Sequence, residues 1–599
     1  MGTYICTWHV CAAYLDDWLA QAPRDEIHTD LCNQLKGWVR SRSVDKLSKC
    51  ALLFDEALHN IETLRLLMQV AAFFKKNAVF ASEEACQATA KANFLRAEKR
   101  CKIANKRLDY YYANRDRLDP ELSLWLTRME ADFRRTLGPF SMKENRGGGT
   151  ESFLNRLPTL IRVTSGATAT STRRRSLPFL KIKARIEASS GAQPWIRAIA
   201  KYFGYDSIDF RTVNWNRVEF VTKNWETHRT IACEAAGNLP LQLAIDAWVK
   251  ERLRRFHGID LSSQTKNQRL ATLGSLFGFI ATVDVKEASD SYALNAFHWL
   301  TPAGWDKFML SIRAPLYKFA GKGESYKYEK FSSMGNGTTF VLETLLFASA
   351  CKAVGSKYYT AYGDDIVIES SLVPKLTKLL AFLGFRINDT KTHTEGSFRE
   401  SCGVNMFDGM DVTPFYIRKQ PSGKPELAHL INGLAGISSP YGKLRRYLKE
   451  LTSLHRIIVV PYSEDSQAGV WIDPTSAYSE GLIKHGRSDK NYGWTIARRY
   501  EYQTRKRRVK SIRTLFLWHL ETFRQKPIRK DPYEQRATIT SLVPTDSVKY
   551  RVRWASWSKG QGDTPVHLYQ WAEELLDYIR ENGDLRKQVG KLNKRPYRT

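Results

Sequence analysis

Between the apolar runs KYYTA and IVIES stand Tyr362, Gly363, Asp364 and Asp365. β-Branched and aromatic residues in both runs favour extended chain, and a glycine with two aspartates between them predicts a tight hairpin turn. This feature constrains the fold more than any other, because two adjacent carboxylates at a hairpin tip repel each other unless they share a cation. Hard oxygen donors of this kind suit magnesium. A solvated Asp-rich turn is the alternative, and the rest of the chain has to decide between the two.

The run FGFIATVDV predicts another strand, which delivers Asp284 at its C-terminal end with Asp290 six residues further on. A charged residue closing a buried strand is costly unless it is paired or bound to a cation. Ser289, Asp290 and Ser291 read as the cap of a helix SYALNAFHWL. A polar glycine loop, Ser332 to Thr339, runs into the helix-like FVLETLLFASA. Its glycines leave room for a sugar or base, and Asn336 can donate and accept at a ribose hydroxyl. Residues 218–234, VEFVTKNWETHRTIACE, predict two strands with Lys223, His228 and Arg229 between them. Facing the acidic turn, these cations would clamp a triphosphate; facing solvent, they would be an ordinary charged hairpin.

Charge narrows the choice of partner. Lys and Arg number 92 against 62 Asp and Glu, a formal +30, and a chain this basic meets a polyanion. Its 16 Trp and 27 Tyr add stacking surfaces for unpaired bases, which a protein that only neutralises phosphate lacks. Up to about residue 145 the period is helical, and we expect scaffolding and RNA contact there. Gly147, Gly148 and Gly149 break that pattern. From Thr164 to Ser190 a Ser/Thr/Gly-rich stretch carries Arg173, Arg174 and Arg175, either as a surface loop or as a basic loop tracking template or triphosphate. SSLVPKLTKLLAFLGF reads as an amphipathic helix, and beyond about residue 425 the chain again reads as mostly helical. The densest cationic run there includes Arg505, Lys506, Arg507 and Arg508. That run is either solvated or an RNA contact, with Tyr500 and Tyr502 favouring RNA. Nine cysteines without a CxxC pair read as reduced thiols. No apolar run reaches the roughly 18 residues of a membrane span, and the start has no signal-peptide pattern, so the protein is expected to stay where it is made.

A strand ending in Asp284 with Asp290 beyond it, a Ser/Gly/Asn loop with its helix, and a YGDD hairpin together resemble motifs A, B and C of the polymerase palm. SSMGNGTTFVLE, EGSFRESCG and DVTPFYIRK resemble, more narrowly, the replicase β subunit of single-stranded RNA bacteriophages, the levivirus or Q-beta type. The resemblance covers about residues 218–420 and is thin elsewhere.

It implies an α+β right-hand polymerase with an antiparallel palm sheet and helical N- and C-terminal regions. The expected division is a helical extension over 1–145, fingers over 146–280, palm over 281–420, and thumb with a basic C-terminal region over 421–599. By resemblance, Asp284, Asp364 and Asp365, with the carbonyl of Val285, hold two Mg²⁺ ions, for which Mn²⁺ can substitute. Lys223 and Arg229 match residues that cradle the triphosphate, while Lys391 sits where a general acid for pyrophosphate is placed. Asp290 and Asn336, with Ser333 and Gly335 beside them, look like the pocket that reads the ribose 2′-hydroxyl. The turn from Arg399 to Gly403 resembles the hairpin that steadies the growing strand. The implied activity is RNA-templated RNA synthesis that replicates a plus-strand phage genome in the cytoplasm of an infected bacterium. Implied partners are template and product RNA, rNTPs, host elongation factors Tu and Ts and a small-subunit ribosomal protein. A reverse transcriptase shares the metals but normally carries a bulky aromatic where Asp290 and Asn336 offer polar groups. A non-catalytic RNA-binding protein would need only the charge and the aromatics.

Overall fold

The computed structural model describes residues 5–462 apart from 22–25, 57–59, 142–150, 165, 172–184, 205–207 and 322. Beyond these it describes 465–472, 483–486, 494–502, 505–508, 538–541 and 550–556. The expected N-terminal helices form, chief among them Thr7–Gln21, Glu26–Arg40, Ile61–Lys75, Glu83–Ala113 and Pro120–Leu137. Glu83–Ala113 starts where the Ser82 hydroxyl accepts the Ala85 N–H at 3.4 Å and two glutamates occupy the first turn. Its buried positions Ala90, Phe94, Ala97, Cys101, Ala104 and Leu108 recur every three or four residues, so one stripe faces the protein. Pro120–Leu137 has Asp119 as its cap, Pro120 in the first turn, and Gly138 at φ 68° where it stops.

The fold is α+β, centred on an antiparallel sheet ordered Ile280–Asp284, Asp365–Glu369, Thr360–Tyr362. Alternate side chains point to opposite faces. Ala281, Val283, Ile366 and Ile368 join the main core with Val341, Leu345 and Leu346 of the helix Thr339–Ala353. Ile280 and Val367 instead meet Leu270 and Leu273 of the helix Thr265–Phe277. Both faces are covered, which is why these strands read as continuous apolar runs.

A four-stranded sheet is ordered His228–Cys233, Trp215–Thr222, Leu316–Phe319, Tyr326–Lys327. The hairpin Phe398–Ser401 with Val404–Phe407 turns at Cys402 (φ 49°) and Gly403 (φ 78°). Arg399 is wholly buried and ties that hairpin down, its guanidinium donating to the carbonyls of Ile280 at 2.7 Å and Gly396 at 2.8 Å.

The first helices meet helices that follow residue 423. Leu15, Cys32, Leu67, Val70 and Phe74 share a core with Leu427, Ile431, Leu444 and Leu448 of the helices Lys424–Ile437 and Lys443–Leu454. Asp17, buried, accepts the N–H groups of Lys443 at 2.5 Å and Leu444 at 3.0 Å, capping the later helix from a distant part of the sequence.

Beyond residue 458 the structure corrects the expected helical C-terminal region: the described elements there are strands, including Trp494–Tyr502 paired with Tyr550–Ser556. Their β-branched and aromatic content favours a pleated surface.

Candidate active site

Asp284 ends its strand directly across the ladder from Asp365, and Asp365 in turn faces Tyr362. Gly363 turns the hairpin at φ 62° and donates its N–H to the Thr344 hydroxyl at 3.0 Å. A Cβ at this position would lie 2.8 Å from the Phe340 ring, so glycine suits the position on both counts. The Phe340 and Tyr362 rings meet edge-on at 5.0 Å, and Asn267 donates to the Asp365 carbonyl at 3.0 Å. Two helices therefore fix the tip that carries Asp364 and Asp365.

Electrostatics at this tip are unbalanced. Burial first, then Asp364, Asp284 and Glu400, push the Asp365 carboxyl up to about 7. Burial likewise raises Asp284; Lys391, with Nζ 3.9 Å from the carboxylate, and Asn388 pull it back only in part. Among the described residues, no group of three or more His, Cys, Asp or Glu side chains is arranged to hold a metal ion as it stands. The donor set nonetheless fits one: hard carboxylate oxygens gathered at one hairpin tip, where Asp364 raises the cost of ionising Asp284 and Asp365, a cost that a divalent cation lowers.

A cavity of about 400 Å³ opens over this tip, lined by Asp284, Val285, Asp290 and Asp364 together with Lys223, Arg229 and Lys391. Lys223 sits at the mouth, where enclosure first, then Arg229 and Lys391, hold its ammonium below the usual lysine range against the pull of Asp284 and Asp364. Lys391 stands the other way: enclosure is outweighed by Asp284, Glu400, Asp364 and Asp365, and its ammonium is held above that range. Cations crowded opposite carboxylates can take a triphosphate on one side and a metal on the other. His228 also lines the cavity, and its buried ring lies 3.0 Å from Glu83 at the start of the Glu83–Ala113 helix.

Asp290 reaches the cavity by another route than expected. It does not cap the following helix, which starts at Leu294 after Ala293 without a side-chain cap; it lies inside the short helix Ala288–Ser291. Tyr292 and Ala293 are buried and extend the chain between the two helices, so the sequence pattern of a capped single helix misled. The Asp290 carboxylate accepts Lys330 Nζ at 2.7 Å; Lys330 is wholly buried, 3.1 Å from Glu98 and 3.6 Å above the Phe94 ring.

Of the glycine loop, Met334 lines the cavity. Asn336 is buried behind it, donating to Glu234 at 3.2 Å and accepting from the Thr338 N–H at 2.9 Å and hydroxyl at 2.8 Å. Ser333 is buried too, while a Cβ at Gly335 would strike the Ala232 carbonyl at 2.3 Å. These three shape the loop and do not line the cavity wall.

Arg173, Arg174 and Arg175 lie outside the described residues. Arg505–Arg508 form a strand paired with Thr538–Ser541, of which the backbone alone is described. Sequence reasoning missed Asn388, Asn267, Lys330 and Glu98. For Asn388 a signal existed, the Asn-Asp-Thr-Lys turn immediately before Lys391; the others had none.

Residues 21–533 match the family model described as RNA replicase, beta-chain. The chain is 39% identical over 279 residues to the RNA-directed RNA polymerase subunit beta of Escherichia virus Qbeta, covering 46% of this chain and 47% of that one. It is 32% identical over 405 residues to the corresponding subunit of Enterobacteria phage SP, covering 66% and 68%. With the RNA-directed RNA polymerase beta chain of Escherichia phage MS2 it shares 37% identity over 260 residues, covering 43% and 47%. The matched stretch thus spans between about half and two thirds of these relatives' length.

Proposed function

The chain belongs to the RNA replicase beta-chain family, and from that we propose that it is an RNA-directed RNA polymerase that replicates a plus-strand RNA phage genome. The observation that carries the proposal is the pairing of Asp284 with Asp365 beneath a cavity that carboxylates and cations line together. In this reading the central sheet is the palm, 146–280 the fingers and 421–599 the thumb with its basic continuation, and 1–145 is an extension packed against them.

Two Mg²⁺ ions held by Asp284, Asp364, Asp365 and the Val285 carbonyl would lower the pKa of the strand's 3′-hydroxyl and neutralise the departing pyrophosphate. Lys223 and Arg229 hold the triphosphate, so that the reaction is chiefly one of positioning and charge stabilisation. Lys391, protonated because carboxylates surround it, carries the proton for the leaving pyrophosphate. Asp290, fixed by Lys330, accepts the ribose 2′-hydroxyl at the cavity wall, while Asn336 holds the loop behind it. Arg173–Arg175 and Arg505–Arg508 are proposed RNA contacts. The relatives are named as subunits, which favours an assembly with other chains; we propose elongation factors Tu and Ts and a small-subunit ribosomal protein, in the host cytoplasm. No helix among the described residues is long and apolar enough to cross a membrane.

The test is incubation of the purified chain with an RNA template, four rNTPs and Mg²⁺, with and without host lysate. Template-length RNA product supports the proposal, and its absence under both conditions refutes it. Replacing rNTPs with dNTPs separates the replicase from a reverse transcriptase.

A further inference from the structure

A second cavity, of about 530 Å³, is lined by Tyr416, Arg418, Lys419, His429 and Leu430 and shares no residue with the one over the carboxylates. The segment after the strand Met410–Asp411 supplies one wall and the helix Lys424–Ile437 another. The N-terminal part of the chain reaches this place as well. Lys76, which closes the helix Ile61–Lys75, lies 3.9 Å above the Tyr416 ring, and the Ala78 N–H donates to the Arg418 carbonyl at 2.8 Å.

Positive charge outnumbers negative here, with Lys76, Arg418 and Lys419 beside Glu426. Partial burial first, then the Arg418 guanidinium, hold Lys76 below the usual lysine range; Glu400 opposes them, while Lys75 and Lys391 add to them. Lys419 is answered by Glu426 at 3.2 Å. Arg418 is exposed, and among the described residues it has no carboxylate within ion-pair distance. Like charges gathered on a concave aromatic surface repel each other until a polyanion enters, and rings beside them offer faces to sugars and bases. The Glu400 N–H donates to the Thr282 hydroxyl at 3.3 Å on the strand that ends in Asp284, and Glu400 pairs across its hairpin with Asn405, whose carbonyl accepts the Val412 N–H at 2.8 Å, so the segment leading to Tyr416 and Arg418 starts beside the reacting centre.

Building on the polymerase reading, we infer that Lys76, Tyr416 and Arg418 form a groove for the sugar-phosphate backbone of the growing RNA strand just behind its 3′ end. The triphosphate already has Lys223 and Arg229 in the other cavity. In-line transfer places the strand bearing the attacking hydroxyl across the transferred phosphorus from the leaving pyrophosphate. A separate cationic groove next to the carboxylates therefore suits that strand and not a second nucleotide. The N-terminal helices thereby contribute a contact to the RNA path as well as a scaffold.

The test uses the full chain with one RNA template, either alone or annealed to a short RNA primer with a 5′-hydroxyl, which removes any triphosphate from the comparison. Arg418→Gln and Lys76→Met should each weaken affinity for the primed template about three- to tenfold at low salt, and reduce the salt slope by about one. Affinity for the unprimed template and KM for the incoming rNTP should stay within about twofold. Lys76→Arg should restore primed-template affinity. Because Arg418 is exposed, Arg418→Gln keeps the test decisive if Lys76→Met lowers stability. Unchanged primed-template affinity in Arg418→Gln would overturn the inference, as would equal loss on primed and unprimed templates. Failure of the unaltered chain to incorporate any nucleotide would instead refute the polymerase reading.

Discussion

Asn388 donates through its side-chain amide to the Asp284 carboxylate at 2.7 Å, and its backbone N–H donates to the Asp284 carbonyl at 2.9 Å. The same turn brings Lys391 into place, since the Lys391 N–H donates to the Asn388 carbonyl at 3.0 Å. One residue thus orients both a carboxylate and the amine facing it. Asn388→Ala should lower kcat about 10- to 100-fold, the usual effect of removing a group that orients a metal ligand. KM for rNTP should change little, and the acid limb of the pH–rate profile should move to higher pH, because a bond that favours ionised Asp284 is gone.

Asp365 makes stability depend on pH and metal together. Its carboxyl is raised to about 7 in the folded chain from an ordinary value near 3.8. The metal-free protein therefore binds more protons folded than unfolded in that window, and it loses stability as pH rises from about 4 to about 7. Thermal unfolding with a chelator should show Tm falling across this range. Added Mg²⁺ should raise Tm more at pH 8 than at pH 5.5, and Asp365→Asn should flatten the chelator curve.

Lys330 joins Asp290 to Glu98 at full burial. Lys330→Met would leave two carboxylates facing each other without their cation, at a cost of about 3–5 kcal/mol. Denaturant titration should show this loss, and adding Glu98→Gln should recover part of it; additive losses would mean that the three groups do not act as a unit.

Asp290 lines the cavity, whereas Asn336 is turned inward, so the proposed ribose pocket assigns discrimination to Asp290. Asp290→Ala should narrow the preference for rNTP over dNTP by about 1–3 kcal/mol, the worth of a buried hydrogen bond left unmade. Single-nucleotide incorporation on one template gives the ratio; an unmoved ratio would remove Asp290 from the ribose pocket.

What could be read from the sequence was local. The strand ending in Asp284 and the hairpin at Gly363 announce themselves through β-branched runs and turn residues within a few positions of the carboxylates. The amphipathic N-terminal helices show themselves equally well through their period. Relationships between distant segments were hidden. Glu98 and Lys330 are far apart along the chain, and no local pattern reveals that a buried lysine answers a helix glutamate and a cavity aspartate at once. The inward turn of Asn336 depends on Glu234, which directly follows the distant strand His228–Cys233, so a loop that looked ready for a sugar is held by the protein itself. Beyond residue 458 the chain read as mostly helical, whereas pairing with a later strand decides the conformation of Trp494–Tyr502.

The most direct test of the central claim is Asp364→Asn, measured for Mg²⁺-dependent nucleotide incorporation and for RNA affinity at one fixed salt concentration. If the paired carboxylates hold the metals, incorporation falls by about a thousandfold or more, while RNA affinity, set by phosphate contacts, changes little. Incorporation kept within about tenfold of the unaltered chain, at unchanged RNA affinity, would contradict the account.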